Sequence, residues 1–372
     1  MSTPLRILQI IVQRNLRAGG AVQLFRLSKE LVRRGHSVYA LFDDDPDYRD
    51  HFAVFDGSGI DLNFLRMRRV KPDIATFKTV KKLRSIIKER RFDIIHAHKG
   101  NAVDLVWLAT MGLDIPIVAN IGAAFPVNYF QAFKYRSARI RRIISVARAV
   151  KDVMVETGKI DPGKIEVVWG GVDSEQFRPG IRSTLRDEFS VSGGKRVIGF
   201  VGNPSKRKGL QYLIEAFEQL AGKYDDIVLM VVGVNDRELG DFTLSDEAAK
   251  SRITPCGFRK DIPNCMAAFD IYAFAGLVNE GLAGTLREAA AMGLPIVTTD
   301  VAGNAELIHD NHSGLVVPPY DAPALARAIE FLLDNGEKAA EFGKNAREFV
   351  VNNMTNEVRA DKIEKIYYDI LK

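Results

Sequence analysis

Residues 195–221 read KRVIGFVGNPSKRKGLQYLIEAFEQLA, and the reading of this stretch decides the fold. It opens on a continuous apolar run, the mark of a strand covered on both faces. It closes with Leu213, Ile214 and Phe217 at helical spacing. Between them, residues 202–209 form a loop that holds Gly202, Gly209 and the cations Lys206, Arg207 and Lys208. A loop that leaves a strand and opens a helix presents bare N–H groups and the positive end of the helix dipole, so cations placed there suit a diphosphate. The stretch is neither the Gly-x-x-x-x-Gly-Lys-[Ser/Thr] phosphate loop nor the Gly-x-Gly-x-x-Gly dinucleotide loop, which disfavours nucleoside triphosphate hydrolysis.

The same strand-then-helix pattern continues in both directions. Upstream, 5–12 reads as a strand, 21–34 as a helix stopped by Gly35, and 37–42 as a strand, with further short buried strands at 93–96, 115–119, 143–146 and 165–168. Downstream, strands are expected at 227–233, 253–258, 270–274 and 295–299, a helix at 285–291, and closing helices from 322 onward. The polar, Gly- and Pro-containing segment 173–194 reads as the connection between the two series. The expected fold class is α/β, with two doubly wound parallel sheets whose ligands sit at the carboxyl ends of the strands. The expected domains are 1–178, 179–354, and a terminal helix in 355–372 that returns to the N-terminal domain.

A length of 372 residues fits two such domains, and 47% hydrophobic with 27% charged residues fits a globular chain. No apolar run approaches a membrane span, and the apolar start at 5–12 reads as a strand rather than a secretory signal. Cys256 and Cys265 are the two cysteines, which implies no disulfide framework and fits a reducing cytoplasm. His96 and His98 would share one face of a strand, but no further ligands accompany them, so no metal site is expected. The net charge of +5 is uneven: 66–91 holds eleven basic residues against Asp73 and Glu89, and 134–151 holds seven with no acid. These stretches are either solvated helix faces or the footprint of an anionic partner, such as lipid headgroups, phosphorylated glycans or nucleic acid.

A second constellation lies at 280–288: Glu280, then Gly281, Leu282, Ala283, Gly284 and Thr285, then Glu288 about one turn into a helix. Its small residues leave N–H groups bare at a helix N-terminus, again suited to phosphate, while Glu288 is placed to accept from the paired hydroxyls of a ribose. The plain alternative is a tight turn followed by an ordinary helical acid.

At these residues the chain resembles the retaining glycosyltransferases of GT-B fold grouped as glycosyltransferase family 4. Glu280 and Glu288 are similar to that family's paired-glutamate motif, and 202–209 resembles its G-R-x-x-x-x-K-G loop. Gly19-Gly20, Arg34-Gly35-His36-Ser37-Val38, Asp93-Ile94-Ile95-His96-Ala97-His98, Gly171-Val172-Asp173 with Phe177-Arg178-Pro179, and 291–297 resemble further family segments in the same order. The resemblance covers nearly the whole chain and implies two Rossmann-like domains facing across a cleft. It implies that Lys208, helped by Arg207, binds the donor diphosphate, that Glu288 holds the ribose, and that Glu280 with the N–H groups of Gly281, Leu282 and Ala283 contacts the transferred sugar. It further implies that the N–H groups of Gly284 and Thr285 face the diphosphate, that Gly19 and Gly20 approach the same phosphates, and that backbone at Phe258 and Arg259 flanks the base.

The implied activity is metal-independent transfer from a nucleotide-diphosphate sugar, UDP first and GDP second, with no cofactor. The implied acceptor is a glycan or lipid-linked glycan of cell-envelope polysaccharide or lipopolysaccharide synthesis, with His98, Lys99, Asn101 and Gly122 as acceptor-side residues. The expected location is cytoplasmic, with peripheral contact at the inner membrane face through the basic stretches, and no nucleic-acid partner. The sequence departs from the family at Asn203, where an arginine is usual, at the loop of Gly122, which lacks a histidine, and at Gly170, where an asparagine is usual. Arg207 or Lys206 would substitute for the missing cation. These departures keep a sugar-nucleotide-binding protein without turnover as an alternative, beside a UDP-sugar epimerase. A metal-dependent transferase using Asp43-Asp44-Asp45 would leave the second α/β series unexplained.

Overall fold

The computed structural model describes residues 3–16, 19–278 and 281–372. The chain forms two compact units, Met1–Gly171 with Asn356–Lys372, and Val172–Thr355. In the first unit the order is β1 (Arg6–Ile11), α1 (Gly19–Arg33), β2 (Ser37–Asp43), β3 (Asp61–Leu65), α2 (Ile74–Arg90), β4 (Ile94–His98), α3 (Gly100–Ala109), β5 (Ile117–Ile121), α4 (Tyr129–Arg136), β6 (Ile140–Ser145), α5 (Arg148–Gly158) and β7 (Ile165–Val167). The strands make one parallel seven-stranded sheet in the order β3-β2-β1-β4-β5-β6-β7.

The second unit runs α6 (Leu185–Glu188), β8 (Arg196–Val201), α7 (Leu210–Ala221), β9 (Ile227–Val232), α8 (Asp236–Leu239), α9 (Glu247–Lys250), β10 (Ile253–Gly257), α10 (Ile262–Met266), β11 (Ile271–Phe274), α11 (Gly284–Ala291), β12 (Ile296–Thr299), α12 (Asn304–Leu307), β13 (Leu315–Val317), α13 (Ala322–Asp334) and α14 (Gly336–Asn353). Its six-stranded parallel sheet has the order β10-β9-β8-β11-β12-β13. The last helix, α15 (Asn356–Leu371), belongs to the first unit.

Both sheets reverse their winding direction once, between β1 and β4 and between β8 and β11. Strand neighbours diverge there, and the loops at the carboxyl ends leave a crevice that such folds use for ligands. The strands are apolar through their length because helices cover both faces: all six residues of β9 are buried. On β1 the pleat sends Leu8 and Ile10 into one layer with α2 and α3, and Ile7 and Ile11 into the other with α1 and α15. Residue Gln9 shares the second layer, where its amide donates to the Tyr367 hydroxyl of α15 at 3.1 Å.

Two strands lie where the sequence pattern predicts none. Strand β3 is a half-buried edge, and β13 spans only Leu315–Val317, too short to show a periodicity. Residues 173–194, expected as the connection, lie in the second unit, where Arg186 of α6 donates to the Ala268 carbonyl at 2.8 Å and to Asp270 at 2.7 Å. Both cysteines are buried free thiols. Among the described residues no helix is long and apolar enough to cross a membrane.

Candidate functional site

In the second unit, the loops that leave β8 and β11 flank the switch point, and they are the two constellations singled out in the sequence. They touch directly: the Leu277 amide donates to the Arg207 carbonyl at 2.9 Å. The β8 loop tightens into a short 3-10 turn over Lys206–Lys208, in which the Lys208 amide donates to the Ser205 carbonyl at 2.9 Å. Residue Gly209 ends the turn at φ 69°, and a Cβ there would lie 1.7 Å from the Ala275 carbonyl oxygen, so only glycine lets the loops meet. The Lys208 ammonium lies 5.2 Å from the centroid of the Phe274 ring at the end of β11. Asn203, Lys206 and Arg207 are exposed on the same loop.

On the β11 side, Glu280 lies outside the described residues. Gly281, Leu282 and Ala283 are buried, and the loop they form is held from two sides. The Gly303 amide donates to the Gly281 carbonyl at 2.6 Å, and the buried Arg287 guanidinium donates to the Leu282 carbonyl at 3.2 Å. Helix α11 begins at Gly284 with no side-chain cap from Ala283, so the positive end of its dipole is not offset locally. The Thr285 hydroxyl bonds the Tyr272 hydroxyl at 2.7 Å. Burial raises the pKa of the Tyr272 phenol, the Thr285 bond opposes this, and the nearby Glu288 carboxylate adds to the rise. Glu288 is half-buried one turn into α11. Tyr272 and Arg287 escape sequence reading, since neither a strand tyrosine nor a helical arginine beside Glu288 stands out locally.

After β10, Phe258 is 58% exposed. The Arg259 guanidinium is held by Asp261 at 2.8 Å and Glu188 at 2.6 Å, which keeps Asp261 below the usual carboxylate range. Its side chain is thus occupied within the unit, and its backbone is what flanks Phe258.

In the first unit, Gly20 and Lys99 flank the β1–β4 switch point. A Cβ on Gly20 would come within 2.8 Å of Lys99 Cε, and the Lys99 ammonium donates to Gln13 at 2.7 Å. Residue Lys99 itself adopts φ 69°, a strained conformation at the mouth of β4. Gly19, Asn101 and Gly122 are exposed. By contrast His98 is buried, because β4 runs two residues past its expected end at 96 and turns that ring into the layer under α15. There His98 Nε2 lies 2.6 Å from Gln9 Oε1, His96 Nδ1 lies 2.6 Å from the Tyr367 hydroxyl, and the two rings stack at 4.3 Å. Burial pushes His96 down to about 3 and His98 well below the usual histidine value, with the Arg359 charge acting the same way. Nothing in the local sequence points to Tyr367 as the partner of His96. Among the described residues no cluster of three or more His, Cys, Asp or Glu side chains is arranged to hold a metal ion.

Comparison with known proteins finds matches over both units. The family described as Glycosyl transferases group 1 matches residues 181–349, and Glycosyltransferase Family 4 matches residues 17–176. The chain is 27% identical to the UDP-Gal:alpha-D-GlcNAc-diphosphoundecaprenol alpha-1,3-galactosyltransferase of Escherichia coli over 80% of this chain and 81% of that protein. Its fold is similar to that of a glycosyltransferase from Rickettsia africae, with a TM-score of 0.86 and 23% identity over 100% of each chain. It is also similar to Anabaena HepE in complex with UDP, with a TM-score of 0.82 and 19% identity over 98% of this chain and 100% of that one. Two parallel α/β sheets, family matches over both units and similar solved folds converge: the chain belongs to the group 1, family 4 glycosyltransferases and has the GT-B fold.

Proposed function

We propose that this transferase takes a sugar from a nucleoside-diphosphate donor, UDP-linked first and GDP-linked second, and passes it with retention of configuration to a glycan or lipid-linked acceptor of cell-envelope polysaccharide or lipopolysaccharide synthesis. The observation that carries the reading is the meeting of the two loops at Leu277 and Arg207, which brings Lys208 and the start of α11 to one switch point. The uncapped N–H groups of Gly284 and Thr285 take the diphosphate oxygens, Lys208 helped by Arg207 binds the diphosphate, and Arg207 or Lys206 substitutes for the arginine usual at position 203. The backbone at Phe258 and Arg259 flanks the base, and Glu288 accepts from the ribose hydroxyls.

As the glycosidic bond breaks, negative charge grows on the leaving diphosphate, and these fixed donors stabilise it without a metal ion. Attack by the acceptor hydroxyl on the face the diphosphate leaves preserves the anomeric configuration. Glu280, with the N–H groups of Gly281, Leu282 and Ala283, is assigned to the sugar and its oxocarbenium-like transition state. Lys99 and Asn101 are assigned to the acceptor, while the buried His98 supports the turn that carries them. The UDP in the HepE complex and the UDP-Gal and diphosphoundecaprenol in the name of the Escherichia coli relative support this choice of donor and acceptor class.

The test is transfer or donor hydrolysis with a panel of UDP- and GDP-sugars in a chelator, with the anomer of the first-formed product read by NMR. Retention from one nucleotide class, lost in Glu288→Ala, is expected. Inverted product, or turnover only with added metal, overturns the mechanism.

A further inference from the structure

Helices α2, α3 and α4 of the first unit carry a row of large apolar side chains that the fold leaves uncovered. Phe130 is 85% exposed, Tyr129 77% and Phe77 69%, and Ile74, Phe133 and Met111 are exposed beside them. Spacing explains why they share a side of the molecule. On α4, Tyr129, Phe130 and Phe133 lie on one helical face, and the buried Ala132 and Tyr135 lie on the other. On α2, Ile74 and Phe77 stand within a turn of Lys78 and Lys81, opposite the buried Leu83 and Ile87.

The row is continuous. Phe77, Leu108 and Met111 line a shallow cavity of about 560 Å³ between the start of α2 and the end of α3. From there Trp107 of α3 meets Phe133 of α4 edge-on at 6.0 Å. The Arg84 guanidinium donates to the Ala109 and Met111 carbonyls at 2.8 and 2.6 Å and ties α2 to the end of α3. An uncovered row of aromatic side chains of this extent marks an interaction surface.

Charge identifies what covers it. Lys78, Lys81 and Lys82 are exposed, and no carboxylate among the described residues forms an ion pair with them. Lys71 and Arg69 add exposed cations just before α2, while Arg68 pairs with Asp73 at 2.8 Å. Three residues of the second basic stretch are occupied within the unit: Lys134 is buried against Asp104, Arg139 lies 4.4 Å over the Trp107 ring and donates to its carbonyl, and Arg136 donates to the Gly158 carbonyl. The lysines of α2 are therefore the charge beside this row. A second copy of the chain would set these lysines against one another, whereas anionic headgroups neutralise them while the rings enter the acyl boundary.

We infer that this row of α2, α3 and α4 is a membrane-docking face that inserts Phe77, Tyr129, Phe130 and Phe133 into an anionic lipid surface. The experiment is vesicle co-sedimentation of the full chain, without nucleotide, on phosphatidylcholine alone and on phosphatidylcholine with phosphatidylglycerol. The wild type binds the anionic vesicles. The triple variant Phe77→Ser, Phe130→Ser, Phe133→Ser loses at least about tenfold of that partition with its thermal melt unchanged. The variant Lys78→Glu, Lys81→Glu, Lys82→Glu loses on the order of a hundredfold and most of the salt dependence. Wild-type indifference to phosphatidylglycerol at low salt, or wild-type binding by either variant, overturns the inference. So does a concentration-dependent dimer that the aromatic variant abolishes, which would assign the face to a second copy. Since no nucleotide is present, failure here leaves the donor site untouched, and failure of the donor site leaves this face untouched.

Discussion

Replacing Gly209 by alanine separates two costs that are usually entangled. The native φ of 69° is left-handed, which costs an alanine about 1–2 kcal/mol. The new methyl would also lie 1.7 Å from the Ala275 oxygen and 2.6 Å from its carbonyl carbon. These are backbone atoms at the end of β11, so relief requires the two loops to part, breaking the Leu277–Arg207 hydrogen bond at a further cost of about 1 kcal/mol. The expected loss is about 2–3 kcal/mol, read by urea unfolding, with at least a tenfold loss of UDP affinity. Two glycines of the same unit serve as references. Gly257, at φ 62° with nothing within 4 Å of its Cβ, isolates the conformational term and should cost about 1–2 kcal/mol as alanine. Gly222, at φ −73° with the Gln219 oxygen 3.7 Å away, should be near neutral. If Gly209→Ala costs no more than Gly257→Ala and binds UDP normally, the claim that the two loops depend on this contact is wrong.

Other consequences concern the layer beneath α15. His96 and His98 are held neutral in the fold, with depressed pKa values, and protonate near 6.5 when unfolded. Their contribution is therefore present above that pH and lost below it: each ring should remove about 2 kcal/mol of stability on going from about pH 7 to about pH 5. Denaturant unfolding across that range should show the fall, and His98→Gln should nearly halve it; a flat wild-type profile contradicts the assignment. Tyr367→Phe strips one hydroxyl from both His96 and Gln9 and should cost about 2–3 kcal/mol, since two buried polar groups lose a partner. A change below about 0.5 kcal/mol would mean that these groups find other partners.

What the sequence discloses and what it hides follow from the range of the interactions. Most strands of both sheets are legible because burial on two faces writes an unbroken apolar run, as in β9, whereas the half-buried edge β3 and the three-residue β13 write none. The loops after β8 and β11 are legible because glycines and lysines at a strand-to-helix turn have few other uses. Their meeting through Leu277 and Arg207 is not legible, since a backbone hydrogen bond leaves no residue-type signature. Tyr367 reaches His96 across 271 positions, and no local pattern could pair them. The exposed face of α4 was hidden for the opposite reason, because periodicity reports the buried side of a helix while its other side passes for ordinary surface. The end of β4 lies beyond the expected 96 because His98, which looks like a loop residue in sequence, is buried against Gln9.

A nucleoside-diphosphate site in the second unit is tested by calorimetric titration of UDP, GDP and ADP into the wild type and into Glu288→Ala. Binding should be selective for UDP and weakened in the variant by roughly ten- to a hundredfold as charge-assisted hydrogen bonds to the ribose are lost. No binding of any of the three to the folded wild type, or equal binding by the variant, would contradict it.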